Sequence, residues 1–138
     1  MTRADFQRLA KLRLREASAL MRLGHFPGAY YLAGYSVECA LKACIAKRTR
    51  RHDFPDKRIA QEAWTHDLED LVKVAQLDAD FRDARKASGS LDDNWAVVKD
   101  WSEDKRYELR LSEQEAKVFI SACRDRKNGV ISWIRKRW

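Results

Sequence analysis

The sequence predicts an all-α fold. Apolar residues recur at helical spacing along most of the 138-residue chain, and only two prolines and five glycines interrupt them. Residues 28–46, GAYYLAGYSVECALKACIA, are too long for an ordinary strand and contain no proline. Helix-start patterns stand at Thr2/Asp5 and Ser112/Glu115. One domain spanning 1–138 is expected, long enough to bury a core. With 45% hydrophobic and 36% charged residues, the composition is that of a folded protein rather than a disordered one.

The first helix is expected over 2–24, with Thr2 and Asp5 at its cap. Phe6, Leu9, Ala10, Ala17, Leu20, Met21 and Gly24 share one face. Arg13 falls on that face too, either lifting its head group to the core edge or meeting Glu38 or an anionic ligand. Residues 24–28 make the turn, and Pro27 suits the first turn of the next helix. His25 reads as a surface or capping residue at this junction.

The central helix runs from 28 to about 50. Only Ser36, Glu38 and Lys42 are strongly polar within 28–46, so the helix is buried nearly all round. A membrane span needs roughly 20 predominantly apolar residues with few charges, and Glu38 and Lys42 sit inside this stretch. Its small residues let neighbours approach closely. Gly34 costs about 1 kcal/mol against alanine in a helix interior, and close packing is what it offers in return. Tyr31, Tyr35, Glu38 and Lys42 form one stripe, with Glu38 and Lys42 in the favourable i,i+4 order. That stripe is either a structural polar pair at the bundle edge or a polar pocket or self-association surface. Lys47, Arg48, Arg50 and Arg51 close the helix, either against its dipole or as a phosphate-contacting patch.

Residues 51–64 read as a loop with short helical turns. Thr65 is placed as the cap of the next helix, whose apolar face is Leu68, Leu71, Val72 and Ala75. His66 lies at its first turn, where a neutral imidazole bonds backbone. A short charged helix follows at 78–87 and closes at Ser88-Gly89. Ser90 with Asp93 opens another, with Leu91, Trp95 and Val98 inward and Trp101 near its end. Residues 101–107 read as a loop whose Trp101, Arg106 and Tyr107 either close the bundle end or stack on bases. The last helix starts at the Ser112/Glu115 capping box and turns Ala116, Phe119, Ile120 and Cys123 inward. Asn128-Gly129 breaks it, and Val130, Ile131, Ile134 and Trp138 resume the apolar pattern. Arg124, Arg126, Lys127, Arg135, Lys136 and Arg137 form its outer face.

Cys39, Cys44 and Cys123 form no CxxC pair and the three histidines are scattered. Buried thiols in a reducing cytoplasm are expected, not a metal site or a disulfide framework. The N-terminus has no apolar signal core, which argues against secretion. The net charge of +7 is uneven: residues 1–27 carry six basic and two acidic groups, residues 62–115 eight and fifteen, residues 124–138 six and one. This pattern suits an anionic partner, and it equally suits solvated helix ends and pairing between basic and acidic halves of one bundle. Gly-rich phosphate loops, GxSxG and HExxH are all absent.

The segment AYYLAGYSVECALKACIAK resembles the central helix of HEPN domains, most specifically through Gly34-Tyr35, Val37-Glu38 and Leu41-Lys42-Ala43. THDLEDLVKVA at 65–75 and the Trp95, Trp101, Arg106-Tyr107 pattern fit in the family's order. The resemblance implies an up-and-down bundle of four to five helices, usually a homodimer. Many such domains are metal-independent ribonucleases, often toxins; others pair with a small nucleotidyltransferase. The ribonuclease motif is an arginine, four to six residues, then a histidine. Arg124-Asp125 matches its start, but Gly129, Val130 and Ile131 stand where the histidine belongs. The resemblance therefore implies a non-catalytic module that binds nucleotide or RNA and docks a nucleotidyltransferase, in the manner of a toxin–antitoxin pair. Glu38, Lys42, Arg106 and Tyr107 are its expected ligand-binding residues, and Arg124 a phosphate contact. The alternative is a ribonuclease with a rearranged site, in which His66 or His52 supplies the base beside Arg124 and Asp125. No cofactor, no metal and no membrane contact are expected, in a cytoplasmic protein.

Overall fold

The computed structural model describes residues 1–49 and 57–138. Among them run eight α-helices and no strand: α1 (Arg3–Arg22), α2 (Phe26–Arg48), α3 (Lys57–Glu62), α4 (Leu68–Val74), α5 (Asp78–Ala87), α6 (Gly89–Val98), α7 (Glu113–Arg124) and α8 (Val130–Arg135). A 3-10 turn, Glu103–Tyr107, lies between α6 and α7. The all-α expectation therefore holds.

α1 and α2 form an antiparallel hairpin that organises the rest. A reciprocal Thr2/Asp5 capping box starts α1. At its end Gly24 takes φ +82°, while His25 N–H donates to the Leu20 carbonyl and Gly24 N–H to that of Met21. This is a Schellman closure, and its left-handed position is the one glycine tolerates best. Pro27 then sits in the first turn of α2, where its missing N–H costs no helical bond. Across the hairpin the buried Ser36 hydroxyl donates to the Ala10 carbonyl at 2.6 Å.

α2 is buried on all sides, as its sequence implied. Twelve of its 23 residues are buried, because α1, α4, α7, α8 and the 3-10 turn all pack on it. Gly34 is where the approach is closest. A Cβ there would stand 2.2 Å from the Trp101 indole, which is only 1% exposed and also stacks on Tyr31. Trp101 therefore closes the bundle end. Tyr30 against Phe119, at 4.0 Å between centroids, joins α2 to α7. Phe81 joins α5 to Trp95 of α6 and Trp133 of α8.

Several local expectations need correction. α4 is capped by Asp67, whose side chain accepts from Asp70 N–H; Thr65 instead accepts from Asp67 N–H. α6 is capped by Ser88, which accepts from Leu91 N–H, so the chain passes from α5 to α6 with one residue between them and Ser90 lies inside α6. Residues 103–107 wind into the 3-10 turn rather than a loop. Arg13 pairs with Glu16 at 2.7 Å and lies over the Tyr35 ring, away from any role as the partner of Glu38. The break after α7 falls where expected: Asp125 accepts from Asn128 and Lys127 N–H, and Gly129 N–H donates to the Asp125 carbonyl. A Cβ on Gly129 would meet that carbonyl at 2.4 Å, so this turn requires glycine.

Among the described residues no helix is long and apolar enough to cross a membrane. Cys39, Cys44 and Cys123 are buried and free.

Candidate functional site

Two places on this scaffold bring chemistry-bearing side chains together. The first lies on the inner half of α2. Glu38 is 2% exposed, and unpaired a carboxylate buried that deeply would cost several kcal/mol. Lys42, one turn on, donates to its Oε1 at 2.8 Å. The second partner comes from 28 residues away: His66 Nδ1 lies 3.0 Å from Oε1 and 3.1 Å from Oε2. His66 therefore does not bond backbone at the first turn of α4, as its position had implied. It stands before that helix, and Glu38 orients its ring.

With Nδ1 turned to the carboxylate, the opposite ring edge is left for a hollow of ≈ 460 Å³. Lys42 and His66 line it, along with Met1, Phe6, Ile45 and Trp64. Trp64 is 81% exposed.

Arg106 and Tyr107, the other expected ligand-binding residues, belong to the 3-10 turn. Both are exposed, and the Arg106 guanidinium lies 4.9 Å from the centre of the Tyr107 ring. At this end of α2, Tyr31 stacks on Trp101, two residues before the 3-10 turn. Tyr31 is seven residues, about 10 Å along the helix axis, from Glu38. The structure thus groups these four residues as two pairs, with His66 joining the Glu38–Lys42 pair.

The second place is larger and strongly charged. α1, α7 and α8 border an open trough of ≈ 810 Å³. Arg8, Lys11, Arg15 and Arg22 line it from α1, Arg124 from the end of α7 and Arg135 from α8, with no carboxylate among the described residues that line it. Arg124 donates to the Ser18 hydroxyl at 2.9 Å, which holds its guanidinium at the α1 wall. Arg8 pairs with Asp5 one turn earlier. Lys11 and Arg135 both lie over the Trp138 ring, at 5.8 and 5.5 Å from its centre. The cations are therefore held in place by their surroundings.

Arg8, Arg15 and Arg22 recur every seven residues, so they stay in one row that drifts only about 20° per step. That heptad spacing was the available sequence signal for this row. Attention to the apolar face of α1 passed it over.

The candidates next to Arg124 have structural tasks. Asp125 spends its carboxylate on two backbone N–H groups of the turn, and its carbonyl also accepts from the Ser132 hydroxyl. Where an imidazole would be needed, Val130 and Ile131 are core residues and Gly129 has no room for a side chain. His66 and Arg124 line different hollows. His52 lies outside the described residues. No group of three or more His, Cys, Asp or Glu that could hold a metal occurs among the described residues.

A model of the HEPN domain family matches residues 4–135, nearly the whole chain. The chain belongs to the HEPN domain family. No curated protein and no solved structure matches it. In this HEPN domain, Gly34 takes the Trp101 indole, Glu38 holds His66 and Lys42, and α7 brings Arg124 to the basic trough.

Proposed function

We propose that this HEPN domain binds RNA by its phosphate backbone and does not cleave it. The observation that carries the reading is the trough itself. Six cationic side chains from three helices face it, Arg124 is one of them, and neither a carboxylate nor a histidine is among the described residues that line it. Such a surface attracts phosphates through counterion release, a sequence-independent interaction. General acid–base cleavage near neutral pH needs a group with a suitable pKa beside the bound phosphate, and imidazole is the usual one. The core residues at 130 and 131 support a binding role over a catalytic one.

Fluorescence anisotropy with labelled RNA in EDTA, followed by a denaturing gel of the same sample, tests this. RNA should be bound and recovered intact. The logarithm of the binding constant should fall linearly with the logarithm of salt, and Arg124→Ala should make that slope shallower by about 1. Metal-free cleavage that disappears in Arg124→Ala would instead establish a ribonuclease. The basic trough also supports a second reading, in which it seats an acidic face of a nucleotidyltransferase partner. Binding of such a protein by a chain that ignores RNA is the result that would put this second reading first.

A further inference from the structure

Among the described residues the trough offers charge without a stacking surface. Proteins that hold single-stranded nucleic acid combine a basic groove with aromatic rings on which bases stack. Here the apolar side chains in the lining are Leu12 and Leu14. Trp138 is the aromatic at the trough's edge, and Lys11 and Arg135 already lie over its ring. The exposed rings of Trp64 and Tyr107 are not among the lining residues.

The cations are laid out as a row on a rigid element. From Arg8 to Arg22 is fourteen residues, about 21 Å of helix. A double helix fixes its phosphates at regular spacing on a rigid surface, so a rigid row of cations can meet several of them at once. The bases of a duplex are already stacked on one another and turned away from the protein. A site built from charge alone therefore gives up little by offering no rings. A flexible single strand would have to be ordered along the same row with no stacking in return.

We propose, resting on the RNA-binding reading above, that the trough takes the backbone of double-helical RNA in preference to single-stranded RNA. The row on α1, with Arg124 and Arg135 across the trough, would contact the duplex through its backbone phosphates. Recognition would follow shape and charge, without base readout.

The test compares the full chain's affinity for two labelled RNAs at one salt concentration. One is a duplex of about 16 base pairs, the other an oligouridylate with the same number of phosphates per strand. The duplex is expected to bind at least tenfold more tightly, and a duplex of scrambled sequence equally well. Arg15→Glu and Arg22→Glu alter exposed side chains, and circular dichroism would verify that both variants fold. Each should weaken duplex binding about tenfold or more. An oligouridylate that binds as tightly as the duplex, with binding lost in the variants, overturns the duplex preference and leaves RNA binding standing. If neither RNA binds, the RNA-binding reading fails and this inference with it; if both variants bind like the parent chain, RNA is held elsewhere and this inference fails alone.

Discussion

A methyl group at the α-carbon of Gly34 would stand 2.2 Å from the indole of Trp101. The glycine in the middle of α2 is thus the floor on which the bundle end is closed. Alanine would gain about 1 kcal/mol in helix propensity but would force a fully packed ring to move, at about 1–3 kcal/mol or more. Gly34→Ala should therefore lower stability despite being a helix-favouring change. Urea denaturation monitored by tryptophan fluorescence would show this, and a midpoint equal to or above the parent's would refute the packing argument.

Glu38 links α2 to the segment before α4 through His66. Glu38→Ala removes the carboxylate and leaves a cavity, and should cost about 2–4 kcal/mol. His66→Ala leaves the carboxylate buried with Lys42 alone, and should cost about 1–3 kcal/mol. The two losses should not add, because they break one interaction. A double-mutant cycle with zero coupling energy would mean that the Glu38–His66 contact contributes nothing to folding.

Burial raises the thiols of Cys39 and Cys44 to about 11, and raises that of Cys123 further still. None is a thiolate at neutral pH, and none is accessible. A thiol-reactive dye should label the native chain only at the rate of unfolding, and should label all three residues in denaturant. Fast labelling of even one in the native state would contradict this.

Asp5 is held well below the usual carboxylate range, at about 2, by the Thr2 backbone N–H, the Arg8 guanidinium and the Thr2 hydroxyl. Its folded value is lower than its unfolded one. The capping contribution is therefore fully present above about pH 4 and is lost as pH falls towards 2. Carbon-detected titration of the Asp5 carboxyl should show the low midpoint, and Thr2→Ala should raise it only in part, because the Thr2 backbone N–H and Arg8 remain. An Asp5 midpoint near 3.8 in the parent chain would remove the capping box as its cause.

Much of the architecture was legible because it is written in local patterns. The Thr2/Asp5 and Ser112/Glu115 boxes, the all-round apolar character of α2 and the break at Asn128-Gly129 all depend on residues a few positions apart. The Ser88 cap was missed because Ser88 and Ser90 both offer a plausible oxygen, and the tight α5–α6 junction decides between them. His66 and Glu38 meet across 28 residues, and no periodicity announces such a pairing. Glu38 and Lys42 were read from a polar stripe of α2, and Arg106 and Tyr107 from the segment after Trp101. Nothing local in the sequence says whether two such separate segments meet. The trough needs α1, α7 and α8 side by side, so Arg124 and Arg135 were legible on a basic outer face and the α1 row in its heptad spacing, but their meeting was not.

In the turn after α7, Asn128 is held by α6 and by the residue that caps it. Its side-chain oxygen accepts from the Ser88 hydroxyl at 3.1 Å, and its carbonyl accepts from Asn94 at 2.8 Å. A chain break closed by a glycine could have been a hinge, but this one is a clamped elbow. The α5–α6 corner and the α7–α8 corner should therefore open together or not at all, as one cooperative unit in native-state hydrogen exchange. Arg124 and Arg135 stand on either side of that elbow, so the spacing between them is kept by residues on the α5–α6 side of the bundle, away from the trough.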